Sequence, residues 1–150
     1  MNAAYENLIS RRSVRKYKPE QISEAELDAV LRAGTYAPTA MGKQSPLIVA
    51  VQDPGDIARL DSLNAQISGR PGHPFYGAPT VVIVFAEAHN PNGVQDASLV
   101  MGNMLNAAHA LGLGACWINR ARETFELPEG RALLAKWGIE GDWRGVGNCI

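Results

Sequence analysis

Two uninterrupted apolar runs, Leu47 to Val51 and Thr80 to Phe85, constrain the fold of this chain more than any other feature. Each is β-branched or aliphatic, is bounded by Pro or Gly, and lacks the polar alternation of a strand with one wet face. Such runs predict central strands buried on both faces. Around them the spacing predicts helices. Tyr5, Leu8 and Ile9 recur at i, i+3 and i+4 and predict a short first helix. Ser23 and Glu26 form a capping box ahead of Leu27, Val30 and Leu31, so residues 24–33 are helical, with Gly34 as the residue that stops the helix. Residues 56–67 read as a further helix. Residues 96–111 are apolar on nearly every face, as expected of a helix covered by other elements or by a second copy. A last helix runs from Pro128 to Trp137, and short strands are expected at 115–118 and 145–150. The order α-α-β-α-β-α-β-α-β predicts an α+β fold, a mixed central β-sheet flanked by helices.

A length of 150 residues fits one domain, 1–150, with a sizeable core. Hydrophobic residues make up 46%, charged residues 19%, and the formal net charge is −1, a balance that favours neither nucleic acid nor an anionic membrane. Cys116 and Cys149 cannot build a disulfide framework, and the first ten residues carry no apolar segment of signal-peptide length. The longest apolar stretch, Val81 to Ala86, is too short to span a bilayer. A cytoplasmic location is the expectation. His73, His89 and His109 are widely spaced, with no thiol or carboxylate at metal-ligand intervals, so no metal is expected. His109 is expected to pack or hydrogen-bond on its helix.

Five of the chain's 14 Lys and Arg residues fall between Arg11 and Lys18, four of them in the run Ser10-Arg11-Arg12-Ser13-Val14-Arg15-Lys16-Tyr17. Guanidinium groups hold phosphate oxygens bidentately, and the run also supplies a hydroxyl and backbone donors, the ingredients of an anion site. A solvated basic face and a nucleic-acid contact are the alternatives. Glu20, Glu24, Glu26 and Asp28 follow at once and break any continuous basic stripe. The segment from Thr35 to Pro46 is rich in Pro, small and hydroxyl residues and reads as a loop, and Gly69 to Pro74 reads as an exposed one. The pair Gly112 and Gly114 is not a dinucleotide fingerprint, because it follows a helix and enters a strand.

Three segments together, Ser10-Arg11-Arg12-Ser13-Val14-Arg15, Ala37-Pro38-Thr39-Ala40-Met41-Gly42-Lys43-Gln44-Ser45-Pro46 and Ala107 to Ile118, resemble in order and spacing the signature segments of the FMN-dependent nitroreductase family. The resemblance covers the chain from about Leu8 onward. It implies FMN as cofactor, held through its phosphate, its ribityl chain and a ring whose reduced form carries negative charge near N1 and the C2 carbonyl. Cationic donors placed there stabilise that charge. By resemblance, Arg11, Arg12 and Ser13 contact phosphate and ribityl oxygens, and Arg15 reaches toward the pyrimidine edge. The loop Pro38, Thr39, Ala40, Met41 and Gly42, with Gln44, lies against the flavin of a partner subunit, so a homodimer is implied. Trp117, Ile118 and Asn119 line the other side of the cofactor.

The implied activity is electron transfer from NADH or NADPH through FMN to a flat acceptor such as a nitroaromatic or quinone, with ping-pong kinetics. No side chain is required as nucleophile or general acid, since solvent can supply protons. The pattern departs from the family at Gly42, where Asn is common, and at Gln44-Ser45-Pro46-Leu47, where an aromatic often follows a Gln-Pro pair. Members also usually continue into a Gly-Tyr turn and a basic segment that binds the phosphate. This sequence ends at Ile150 without that tail, so either it is part of a longer chain or the Arg11 to Arg15 cluster holds the phosphate alone. The alternative function is a flavin-binding or flavin-sequestering protein with little turnover.

Overall fold

The structure, a computed structural model, describes residues 2–150. Helices α1 (Ala3–Ser10) and α2 (Glu24–Thr35) precede strand β1 (Leu47–Val51), helix α3 (Pro54–Ser68), strand β2 (Val81–Glu87) and helix α4 (Gly93–Ala110). The short strand β3 (Trp117–Ile118), helices α5 (Ala121–Glu126) and α6 (Pro128–Lys136) and strand β4 (Trp143–Cys149) complete the chain. The four strands form one sheet in the order β1-β2-β4-β3, with every pairing antiparallel. Parallel pairing is confined to an isolated bridge between Ser13 and Ala115. The fold is α+β with helices flanking a central sheet, as expected, and the sheet is antiparallel in place of mixed.

β2 is the axis of the molecule, with Val81 through Ala86 all buried. Its alternate side chains feed two cores, one on each face of the sheet. Val81, Ile83 and Phe85 join Leu60, Phe75, Phe125, Leu133 and Leu134 beneath α3, α5 and α6. Val82, Val84 and Ala86 join Val30, Ala97, Met101 and Met104 beneath α2 and α4. Local signals set the helix ends. The capping box of α2 is formed, with Ser23 Oγ accepting the Glu26 N–H and Glu26 Oε2 accepting the Ser23 N–H. Asp53 caps α3, Pro54 opens it, and Gly69 closes it at φ 65°.

Several boundaries and one burial expectation are corrected. β1 is an edge strand, half-buried along most of its length, so an apolar run bounded by Pro and Gly does not by itself mark a central position. Gly34 lies inside α2 instead of ending it. A Cβ there would stand 2.9 Å from Met104 Cγ and 3.0 Å from Ile48 Cδ1, so glycine serves the close approach of α2 to α4. The loop from Thr35 to Pro46 contains a 3₁₀ turn at Ala40–Gly42. The expected last helix is α6, and a further short helix, α5, precedes it at Ala121–Glu126 where none was expected.

Candidate functional site

The basic run is fastened to the strand that enters the sheet. The Val14 N–H donates to the Ala115 carbonyl at 3.1 Å, alongside the Ser13 to Ala115 bridge. Tyr17 anchors the far end of the run, its hydroxyl 2.5 Å from the Val14 carbonyl oxygen, and burial holds its phenol well above the ordinary range. Arg15 is thereby brought beside the segment from Cys116 to Arg120. Together with the loop from Arg70 to Tyr76 they enclose an open cleft of about 590 Å³. That volume suits a small organic ligand.

The floor of the cleft is held by buried carboxamides. Asn64, on α3, donates Nδ2 to the Asn119 carbonyl at 2.8 Å, and its Oδ1 accepts Arg120 Nε at 2.9 Å. Asn148, on β4, donates Nδ2 to the Ile118 carbonyl at 3.1 Å. The Trp117 ring lies against Gly147 of β4, whose missing side chain leaves room for it. Arg120 stands at φ 73°, a conformation that costs a non-glycine residue energy, at the start of α5, where its carbonyl accepts the Thr124 N–H at 2.9 Å and Thr124 Oγ1 at 2.8 Å, while Asn64 holds its side chain. The result is an apolar wall of Trp117 and Ile118 beside three guanidinium groups, Arg15, Arg70 and Arg120. An apolar wall beside cations, of which Arg120 is held by Asn64, suits a flat ring that carries negative charge.

Of the residues singled out in the sequence, Arg15, Trp117, Ile118 and Asn119 line this cleft. Ser13 lies two residues from Arg15, at the bridge. Arg12 folds back on its own helix, donating Nη1 to the carbonyls of Ile9 at 2.8 Å and Arg11 at 2.9 Å. Arg11 is half-buried and does not line the cleft. The loop Pro38, Thr39, Ala40, Met41, Gly42 and Gln44 stands between α2 and β1 and is absent from the cleft wall of its own chain. It is built rigidly nonetheless. The Ala40 N–H donates to Asp96 Oδ1 at 2.9 Å, the Gln44 N–H donates to Thr39 Oγ1 at 2.9 Å, and Met41, Gly42 and Gln44 all have φ between 54° and 64°. Met41 is 81% exposed.

Sequence reading missed Arg70, His73 and Arg120. A Gly- and Pro-rich segment carries no period that says which way it faces, and Arg120 enters the site only through a left-handed backbone. The two cysteines are free, and burial pushes the Cys149 thiol up to about 12, an unreactive state. His109 lies on α4 with Nε2 2.9 Å from Ser10 Oγ, a hydrogen-bonding role of the kind expected.

A family model described as "Nitroreductase family" matches residues 8–144. The chain belongs to the nitroreductase family. Its structure superposes on an FMN-bound nitroreductase from Bacteroides fragilis with a TM-score of 0.87 and 32% identity, covering 99% of this chain and 87% of that one. An FMN-dependent nitroreductase from Clostridium difficile R20291 superposes with a TM-score of 0.80 and 25% identity, over 97% and 84% of the two chains. In sequence this nitroreductase-family chain is 25% identical to the FMN reductase [NAD(P)H] of Bacillus subtilis, over 86% of its own length and 61% of the relative's. The chain spans between 61% and 69% of the length of the curated relatives it matches.

Proposed function

We propose that this chain is an NAD(P)H-dependent FMN oxidoreductase whose cleft delivers electrons to flat, electron-poor acceptors such as quinones and nitroaromatics. The observation that carries this reading is the convergence of Arg15, Trp117, Ile118 and Asn119 on one cleft in a nitroreductase fold. The donor set fits FMN. Trp117 and Ile118 offer an apolar surface to a flat ring, while Arg15, Arg70 and Arg120 offer cations to its electron-rich edge. Arg11, Arg12 and Ser13 would hold the phosphate and ribityl oxygens, Arg12 exchanging its bonds to the Ile9 and Arg11 carbonyls for bonds to the ligand. FMN supplies a two-electron relay between donor and acceptor.

The open cleft lets nicotinamide and acceptor use the same face in turn, which gives ping-pong kinetics. The loop from Pro38 to Gln44 reaches a partner's cleft in a homodimer, a role supported by its rigid build and by the exposure of Met41 and of Leu99 on α4. The deciding experiment is an absorbance spectrum of the purified protein before and after anaerobic NADH and then NADPH. Flavin bands that bleach with a donor and return on adding a quinone are expected. A colourless protein that ignores added FMN overturns the reading, and flavin that binds but never bleaches identifies a storage protein instead. Intersecting steady-state lines would exclude the shared face, and a monomer by light scattering that retains tightly bound FMN would exclude the dimer.

A further inference from the structure

His73 sits on the cleft wall in the geometry of a positioned acid. Its Nδ1 lies 2.7 Å from Asp61 Oδ2, and the other Asp61 oxygen accepts the Phe75 N–H at 2.8 Å. The Asp61 side chain, projecting from α3, is 13% exposed, whereas that of His73 is 85% exposed. A carboxylate tethered at both oxygens is a fixed acceptor. It turns the ring so that Nδ1 faces the carboxylate and leaves Nε2 as the free end that gains or gives a proton.

The charged and titratable groups facing His73 are Asp61 from α3, Arg70 on its own loop, Tyr76 just beyond it, and Arg15 and Arg120 across the cleft. Guanidinium groups do not release protons in proteins, and a phenol does so only in alkali. Imidazole is the side chain that exchanges protons between about pH 5 and 8.

We propose that His73, positioned by Asp61, protonates the acceptor oxygen during reduction in this cleft. The assignment rests on the cleft being the flavin and acceptor site. A quinone takes up two electrons and two protons on becoming a hydroquinone. NAD(P)H supplies two electrons and one proton as hydride and leaves as NAD(P)⁺. The second proton leaves His73 Nε2, whose N–H bond breaks as an O–H bond forms on the acceptor, and solvent then reprotonates the imidazole. The net reaction consumes one NAD(P)H, one proton and one quinone. His73 thus takes over a proton transfer that solvent would otherwise perform more slowly.

The test compares a benzoquinone, which takes protons, with ferricyanide, which takes only electrons, for the wild type, His73→Gln and Asp61→Asn between about pH 5.5 and 9. His73→Gln is expected to lower the ratio of quinone to ferricyanide turnover by about a hundredfold, the lower end of what a positioned acid contributes. Asp61→Asn, which weakens the contact that orients the ring, is expected to lower the same ratio in part. A second readout needs no turnover: the NMR signal of the His73 Nδ1–H in the purified protein should exchange faster with solvent in Asp61→Asn. A ratio unchanged in His73→Gln, or an Nδ1–H exchange rate unmoved by Asp61→Asn, overturns the assignment of His73 alone. A wild-type protein without flavin, or one whose flavin is not bleached by NAD(P)H, overturns the functional reading and this assignment with it.

Discussion

Asn64 and Asn119, 55 residues apart in sequence, are joined by a hydrogen bond of 2.8 Å from Nδ2 to the backbone carbonyl. Asn64 is 0% exposed, and its Oδ1 also fixes Arg120. Asn64→Ala therefore leaves Arg120 Nε without its partner and the Asn119 carbonyl with only the long bond of 3.4 Å from Asn148 Nδ2. A loss of about 1–3 kcal/mol in urea unfolding is expected. FMN affinity should fall further than stability alone explains, because the Arg120 side chain is then no longer held in place at the cleft. Flavin fluorescence titration of the folded variant checks this, and an unchanged affinity would separate Asn64 from the site.

Gly147 and Trp117 make a steric prediction. A Cβ at Gly147 would stand 2.7 Å from Trp117 Cε2 and 2.8 Å from Cζ2, closer than side chains pack. Gly147→Ala must move the indole, and the indole is a wall of the cleft. Overpacking of this kind costs about 1–3 kcal/mol, so FMN should bind about tenfold more weakly, with a changed near-ultraviolet circular dichroism spectrum. Gly102→Ala on α4, where a Cβ meets nothing within 4 Å of the same chain, is the control for alanine substitution in the isolated protomer.

Which parts of this structure were legible in the sequence follows from physics. Val81 to Phe85 was readable as a doubly buried strand because it lacks polar alternation, and β2 proves central. Leu47 to Val51 has the same composition at an edge, since apolar content does not distinguish a strand covered by helices from one covered by its own neighbour and connections. α5 escaped because Arg122, Glu123 and Glu126 mask an inward face of only Ala121, Thr124 and Phe125. Within the site, Arg15 and Trp117 to Asn119 were reached through motif resemblance. Arg70 and His73 were not, because an aperiodic loop gains its orientation only from tertiary bonds such as that of Asp61 to the Phe75 N–H.

Gln44 holds a left-handed backbone, φ 54°, without being glycine. That conformation costs a side-chain-bearing residue about 1 kcal/mol, and its persistence suits a residue kept for its side chain. Gln44→Gly should raise stability by up to about 1 kcal/mol while weakening FMN binding in the proposed dimer. Differential scanning calorimetry paired with flavin titration tests the trade. A variant that gains stability and keeps full affinity would assign Gln44 to the turn alone.

Asp56 links α3 to α6 through Oδ1 to Lys136 Nζ at 2.6 Å and Oδ2 to Trp137 Nε1 at 2.8 Å, with a side chain only 10% exposed. The Lys136 bond first, and the Trp137 bond second, hold its carboxyl below the usual carboxylate range against the opposing effect of burial. A carboxyl whose folded pKa lies below its unfolded value, about 3.9, stabilises the fold fully above that value. The stabilisation is lost as pH falls through the lower folded pKa. The same bond raises the Lys136 pKa, so its share is present below the unfolded lysine value and lost as pH rises through the folded one. The Lys136 side chain is largely exposed, and solvent screens that share. Asp56→Asn should cost about 1–3 kcal/mol near neutral pH, mainly through the two weakened bonds. The gap in Tm between wild type and variant should close as the pH drops below about 4, where the wild-type carboxyl takes up its proton. Thermal melts across that range check this, and a gap that stays constant with pH would mean that Asp56 contributes through packing and not through its charge.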